Sequence, residues 1–516
     1  MDYDVVVAGA GPVGLMLAGE LQLGGTRVLV LERETDPPPA RFGSMGARSV
    51  NAPTVHALNL RGLLPAVEKT ALRWLGALPE ARSERQDVFV GHFAGIGIRA
   101  DRLKPPEPGE EFLGAGVVSQ GDLEAVLAER AAALGVEIRR GTALTGFDAG
   151  PDAVDVHIGP ETVRAGWLVG ADGGRSTVRG QAGFDFPGVD PVFTGRQAVV
   201  DLADAHQLTA GGWQPGENGA YTLGGWADGD GPPRVHTVEF AAPPADRDAP
   251  VTAEEMQASL RRVSGTDVTV TRVHVGTRYA DTTRQATSYR RGRVFLCGDA
   301  AHVHSPAGGQ GMNLGLGDAV NLGWKLALVA RGAAPDSLLD TYQAERHPIG
   351  AWVQKWSMAQ TALSTAQGPR ADALREVVAG LLDTPDGATH VVSMIGGQWQ
   401  HYDLPGDHPL IGRRVPDLPL TDGTTMAAHF RTGRAVLLDT GTGAAAVAQA
   451  WRDRVTTVTA RPVAYPDQPM AALIRPDGHV AWLTLGDTDQ EELRTALTTW
   501  LGPGRVSGDG GRPARR

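Results

Sequence analysis

The opening stretch of the chain leaves it few folds to choose from. Tyr3-Asp-Val-Val-Val-Ala8 is a short, almost wholly apolar run of the type buried in a parallel sheet. It leads through Gly9-Ala-Gly-Pro-Val-Gly14 into Leu15-Met-Leu-Ala-Gly-Glu-Leu21, which has helical spacing. Strand, spaced glycines and helix in this order predict a βαβ dinucleotide unit. Gly9 permits the tight turn, Gly11 lets a pyrophosphate approach the backbone, and Gly14 lets helix and strand pack closely. Pro12 and Val13 complete that turn. The second strand, Arg27-Val-Leu-Val-Leu-Glu32, ends in an acid where a ribose hydroxyl would be held. Arg33 beside it raises the alternative of a 2′-phosphate, but the acid takes precedence, and the site is assigned to a permanently bound adenine dinucleotide.

Two later junctions repeat the pattern of a buried strand ending in an aspartate. Trp167-Leu-Val-Gly-Ala-Asp-Gly173 ends at Asp172, and Arg293-Val-Phe-Leu-Cys-Gly-Asp299 ends at Asp299. After Asp299 a Gly/Pro loop, Pro306 to Gln310, opens a long helix near Gly311. Asp299 can accept hydrogen bonds from a polyol, while the loop and first helical turn offer N–H groups and a positive dipole end to a delocalised anion. A reduced isoalloxazine ring is such an anion. Residues 36–53 are rich in Pro, Gly, Arg and Ser, and Arg41 and Arg48 are candidates to bind phosphate there. Gln120 stands at the mouth of the helix that begins at Ser119-Gln-Gly-Asp-Leu.

Composition closes off other functions. A net charge of −11 without a basic cluster argues against a nucleic-acid surface. Cys297 is the only cysteine, which excludes an intrachain disulfide, a thiolate metal cage and a redox-active pair. His302 and His304 alternate at a strand exit with no carboxylate cluster, so packing or hydrogen bonding is expected of them and no metal. No apolar run approaches the ~18 residues of a spanning helix, so no membrane partner is expected and a cytoplasmic location is.

The periodicity divides the chain into an interrupted cofactor domain, an insert and a C-terminal unit. The expected boundaries are a dinucleotide-cofactor domain in three parts (1–71, 104–180 and 281–400, the last with a helical region), a substrate domain in two parts (72–103 and 181–280), a C-terminal domain (401–502) and a disordered tail (503–516). The substrate domain reads as a mainly antiparallel sheet around one helix near Thr252 to Val263. Phe89, His92, Phe93, Trp213, Tyr221 and Trp226 are its candidate substrate-lining residues, with Phe193 a further aromatic there. Downstream, helices are expected from about Gly311 to Arg331 and from Leu338 to Arg346. Residues 430–502 give a βαβ unit, a hairpin at Arg475-Pro-Asp-Gly478 and a final helix. This is thioredoxin-like order without the cysteines, with Pro469 placed as that fold's cis-proline would be.

The three motifs Gly9-Ala-Gly-Pro-Val-Gly14 with Glu32, Ala171-Asp-Gly-Gly-Arg175 and Gly298-Asp299 together resemble the class A flavoprotein monooxygenases of the para-hydroxybenzoate hydroxylase type. The likeness spans about residues 1–390. The ending Leu473-Ile-Arg-Pro-Asp-Gly-His-Val-Ala-Trp482 is similar to the aromatic polyketide hydroxylases of bacterial angucycline and tetracycline pathways and to rifampicin monooxygenase. The fold class implied is α/β: a Rossmann-like FAD-binding domain, an inserted antiparallel substrate domain and a C-terminal thioredoxin-like domain. By resemblance, Gly11, Gly14, Glu32, Arg41, Gln120 and Asp299 contact FAD, Asp172 serves FAD and NADPH, and Pro306, Gly308, Gly309, Gly311, Met312 and Asn313 border the isoalloxazine. Where many relatives have Ala-Arg-Thr, this chain has Ala52-Pro53-Thr54, which leaves open whether Arg48 takes over that arginine's part.

The activity implied is hydroxylation of a polycyclic aromatic substrate: NADPH (or NADH) reduces FAD, and O2 then forms a flavin C4a-hydroperoxide. No catalytic side chain is assigned, and a homodimer is the expected assembly. Baeyer–Villiger oxygenation of a polyketide ketone and a flavin-binding protein without oxygenase activity stand as alternatives. A flavin-dependent halogenase would carry a Trp-x-Trp-x-Ile-Pro signature, which is absent.

Overall fold

The computed structural model describes residues 1–75, 88–105, 115–224, 232–240, 249–306 and 308–505. Its first sheet is built on Tyr3–Ala8, which pairs in parallel with Val28–Leu31 on one side and Glu161–Gly170 on the other. Val7 sits opposite both Val30 and Val169. Glu137–Arg139 extends the parallel sheet beyond Val28–Leu31, and Val294–Leu296 extends it beyond Glu161–Gly170. Val5, Val6 and Val7 are wholly buried, as strands covered on both faces require. Because the chain leaves the central strand in opposite directions, a crevice opens at the carboxyl ends of the strands, where Gly9, Asp172 and Asp299 lie.

Two helices carry the domain. The first, Pro12–Leu23, packs on the central helix, Gly311–Ala330. A long helix, Asp340–Thr365, runs on through Pro348, whereas the sequence predicts an end at Arg346. A proline lacks the N–H and crowds the preceding turn, so periodicity reading stops there. Buried Ile349, Val353, Ser357 and Gln360 show the tertiary packing that carries the helix past it. Helices Pro369–Leu382 and Pro385–Gly396 follow.

The insert is a five-stranded antiparallel sheet in the order Gly211–Gly216, Gly219–Leu223, Arg234–Glu239, Thr194–Leu202, Val270–Ala280. One face is covered by the helix Ala253–Ser264, capped by the Thr252 hydroxyl accepting from Glu255 N–H and ended by Gly265 at φ 68°. Residues 72–103 do not join this sheet as expected. Arg73–Leu75 pairs with Ala115–Ser119, and Phe89–Phe93 with Ile96–Arg99 makes a separate two-stranded ribbon among the described residues. Ile98 of the ribbon is buried with Leu382, Ala388, Val391 and Val392 of the two added helices, which offer a larger apolar surface than a sheet edge.

The C-terminal unit has the expected thioredoxin-like order. Ala435–Asp439 pairs in parallel with Val455–Val458 and antiparallel with Ala471–Ile474, which pairs with Val480–Thr484. The peptide bond before Pro469 is trans, contrary to expectation. Residues 503–505 are held, not disordered: Arg454 donates to the carbonyls of Leu501 and Pro503, and Arg505 N–H donates to Ala450. The rest of the predicted tail, 506–516, lies outside the described residues. Leu314, Trp324 and Leu338 share one core with Leu437, Leu473 and Trp482, so the C-terminal unit and the cofactor domain are continuous in packing.

Candidate active site

The three glycines of the first turn do three different jobs. A Cβ on Gly9 would lie 2.3 Å from the Ala171 carbonyl oxygen, and one on Gly14 would lie 2.0 Å from that of Gly9. One on Gly11 would meet nothing within 4 Å. Gly9, with φ 104°, and Gly14 therefore fix backbone packing, while Gly11 faces open space of the kind a pyrophosphate needs. Pro12 begins the helix and Val13 packs against Gly298.

Glu32 is buried rather than solvated. Its carboxylate accepts from Ala10 N–H at 2.8 Å and from Glu34 N–H at 3.0 Å, so the strand-end acid also holds the glycine turn in place. Arg33 turns away, with a side chain 74 % exposed and paired to Glu34. Asp172 accepts from Val178 N–H at 3.1 Å through one oxygen, while its other oxygen is buried without a partner. An orphaned acceptor at the mouth of this crevice fits a ligand that brings a hydroxyl or N–H.

Arg41 and Gln120, far apart in sequence, converge on Glu124. Arg41 contacts both carboxylate oxygens, at 3.1 and 3.0 Å, and Gln120 Nε2 donates at 2.9 Å. Glu124 was missed by the sequence reading, although a Gln and a Glu four apart on a helix face each other and could have signalled it. Arg48 donates to the carbonyls of Ala47 and Met45. Burial lowers its pKa, and the largest opposing influence is the carboxylate of Asp299; Arg41 lowers it further and Glu124 raises it. Arg41, Arg48, Gln120 and Asp299 thus lie in one site. Asp299 is exposed on the short turn Gly298–Ala300, and no described residue bonds its carboxylate.

Beyond it the loop is pinned from behind. Asn313 Oδ1 accepts from Asn51 N–H and Thr54 hydroxyl, and Nδ2 donates to the carbonyls of Ser49 and Gly309. Its side chain is spent on holding the loop, which leaves the backbone of Gly311, Met312 and Asn313 at an uncapped helix start. Gly308 and Gly309 have φ of 85° and 63°, and Gly309 N–H donates to Pro306. Behind the site, His302 Nε2 lies 2.6 Å from buried Asp318, which also accepts from Gly298 N–H and from Arg346. His304 bonds the Ser305 carbonyl.

The substrate candidates separate into groups. Tyr221 is buried between the insert sheet and its covering helix, on the face away from the cofactor domain, because its register with Thr237 puts it with Met256 and Leu260. Phe193 packs edge-on to Tyr279. On the opposite sheet face, Trp213 lies over His236 at 4.8 Å, and the His236 ring is hydrogen-bonded to the Tyr279 hydroxyl. Burial and the nearby Arg234 hold the His236 pKa down to about 3, and burial raises that of Tyr279. Arg234 alternates onto this same face and donates to the Ser44 carbonyl at 2.8 Å, which turns the face toward the cofactor loop. His236 and Tyr279 were not singled out by the sequence. Phe93 stacks edge-on to Trp356 at 5.0 Å, and Trp352 lies between Trp356 and Trp399. Phe89 is largely exposed, His92 accepts from Gly95 N–H, and Trp226 lies outside the described residues.

Residues 2–357 match the FAD binding domain family, and residues 408–504 match the aromatic-ring hydroxylase C-terminal family. The chain is 42 % identical to 12-dehydrotetracycline 5-monooxygenase/anhydrotetracycline 6-monooxygenase of Streptomyces rimosus, over 98 % of this chain and 99 % of that one. It is 39 % identical to rifampicin monooxygenase of Streptomyces venezuelae, over 97 % and 99 % of the two chains. Among solved structures, CabE, an aromatic hydroxylase from angucycline biosynthesis, superposes with a TM-score of 0.83 at 36 % identity, covering 98 % of this chain and all of that one. The open Gly11, the orphaned Asp172 oxygen and the Arg41–Arg48–Asp299 grouping fit the cofactor these families bind. This chain belongs to the FAD-dependent aromatic polyketide monooxygenase family.

Proposed function

We propose that the chain hydroxylates a multi-ring phenolic polyketide, using NAD(P)H and O2. When bound and reduced, FAD supplies the activated oxygen. The protein's part is to hold the cofactor, position the substrate and exclude water. The turn of Gly9, Gly11, Pro12, Val13 and Gly14 would take the pyrophosphate, and Glu32 the adenosine end. Arg41, Arg48, Gln120, Asp172 and Asp299 would hold phosphate and ribityl oxygens. The loop from Pro306 through Gly309 to Met312 would border the ring system.

One observation carries the substrate class: the insert face turned toward the cofactor loop bears Trp213, His236 and Tyr279, with no carboxylate-binding arginine cluster among the described residues. Arg234, the arginine on that face, is engaged with Ser44. A broad aromatic wall gains most from a large flat ligand, at about 25 cal/mol per Å2 of apolar area removed from water. The relatives' names, tetracycline and rifampicin, are those of multi-ring molecules, which supports the same reading. Neutral His236, hydrogen-bonded to Tyr279, offers a polar contact to a phenolic oxygen within that wall.

The test compares NADPH oxidation and product formation with a tetracyclic or angucyclic phenol against para-hydroxybenzoate. Coupled turnover of the polycycle is expected. Efficient hydroxylation of the small acid with indifference to the polycycle would overturn the proposal.

A further inference from the structure

A second polar site lies on the far side of the central helix from the dinucleotide crevice, where the cofactor domain meets the C-terminal unit. It is a small cavity of about 30 Å3, bordered by His56, Asn321, Arg346, Gln400, Arg414 and His479, among others. That is room for a water or two, or for one halide-sized ion.

The charges around it do not balance. Arg346 is matched by Asp318 at 2.8 Å. Asp477, which also borders the cavity, is neutralised by Arg475; it also accepts from His479 N–H and lies 3.3 Å from the His479 ring. Glu345 answers both Lys325 and Arg475, at 2.9 and 2.8 Å. Arg346, Arg414, Arg475 and Lys325 therefore face only Asp318, Asp477 and Glu345, and the cation left over is Arg414. Among the described residues its donors reach two backbone carbonyls, Gln400 at 3.4 Å and Gly397 at 3.1 Å, and its Nε is buried without a partner. The Gln400 side chain, 8 % exposed, makes no hydrogen bond within the described residues. His56 is held neutral, since burial lowers its pKa to about 3, and burial also lowers the pKa of His479, against the pull of Asp477 beside it.

We propose that this interdomain cavity binds a small inorganic anion of halide size, held by Arg414 and Arg346 with the Gln400 amide as a further donor. The anion supplies the counter-charge that the chain omits. It also ties the cofactor domain, through Arg346, to the C-terminal unit, through Arg414. A half-buried guanidinium without an acid, its Nε wholly buried, is costly unless something supplies that charge.

The experiment uses the full, FAD-loaded chain. Thermal melting is followed as sodium chloride or sodium bromide replaces sodium gluconate at constant ionic strength, and bromide-soaked crystals are examined for anomalous scattering. A saturable rise of about 2 °C with halide is expected, together with a bromide peak beside Arg414. Arg414→Gln should abolish the halide dependence. Should that variant fail to fold, Arg414→Lys, which keeps the charge, should retain a weakened response. Identical melting in the two salts with no bromide in the cavity would leave only water there and overturn the proposal. So would a halide response unchanged in Arg414→Gln.

Discussion

Glu345 and Arg346 are neighbours on one helix, yet they pair with different partners. Glu345 is held by Arg475 of the C-terminal unit at 2.8 Å through both oxygens, and Arg346 reaches Asp318 at 2.8 Å. Asp318 in turn accepts from Gly298 N–H at 3.1 Å, one residue before Asp299. A line of buried ion pairs thus runs from the C-terminal unit to the back of the cofactor site.

Asp318→Asn keeps the shape but leaves Arg346 buried without its acid. Breaking a buried pair in this way costs about 3–5 kcal/mol. Denaturant unfolding should register that loss, and FAD should dissociate faster because an amide oxygen holds the Gly298 N–H more weakly than the carboxylate does. A variant as stable as the parent would show that the ion pair is dispensable.

The glycines of the first turn should separate by phenotype. Gly11→Ala has space for its methyl group, so it should fold normally while binding FAD weakly, because the methyl occupies the approach to the pyrophosphate. Gly14→Ala places a methyl 2.0 Å from the Gly9 carbonyl and should lower the melting temperature itself. Circular dichroism melts of the apoproteins, set beside flavin absorbance ratios, would distinguish the two. Equal loss of stability in both would contradict the geometry.

Asp299→Ala should purify without flavin, since no neighbouring acid can replace its hydrogen bonds. Arg48→Ala should weaken FAD affinity by about tenfold or more, the scale of one charge-assisted hydrogen bond. Arg33→Ala, on a side chain 74 % exposed, should change little. Titration of apoprotein with FAD tests all three, and full occupancy in Asp299→Ala would remove the carboxylate from the site.

Stability should fall in mild acid partly through His56. Burial, with Arg414 and His479 nearby, lowers its pKa from 6.5 to about 3. The folded state therefore favours the neutral ring. The contribution is fully present above pH 6.5 and is lost as pH falls from there toward 3, at up to about 1.4 kcal/mol per pH unit for one proton. His56→Gln keeps a donor for the Val415 carbonyl and should flatten the curve in that window. An unchanged slope in chemical denaturation across pH 4–6 would assign the acid sensitivity elsewhere.

Truncation after about residue 400 should fail as a soluble, FAD-loaded protein. It would strip Arg475 from Glu345, remove the Phe430 and Pro476 carbonyls from Arg61, and open the core that Leu314 and Trp324 share with Leu437 and Leu473. Size-exclusion chromatography of the shortened chain checks this. A monodisperse yellow product would mean that the two units fold independently.

The sequence alone determined whatever depends on short range. A strand, a glycine turn and a helix occupy consecutive residues, so the dinucleotide unit, the two strand-end aspartates and the C-terminal βαβ unit could be read directly from spacing. Helix Asp340–Thr365 was cut short at Pro348, because a local rule cannot weigh the packing of Val353 and Gln360 that overrides it. Only the tertiary structure brought Arg41 to Glu124 and set Arg48 toward Asp299. It also put Tyr221 on the covered face while leaving His236 and Tyr279 on the face that Arg234 joins to Ser44. A strand's alternation says that its two faces differ, but which face meets the cofactor is fixed by what packs on each. Here the helix Ala253–Ser264 claimed one face, and Arg234 joined the other to Ser44.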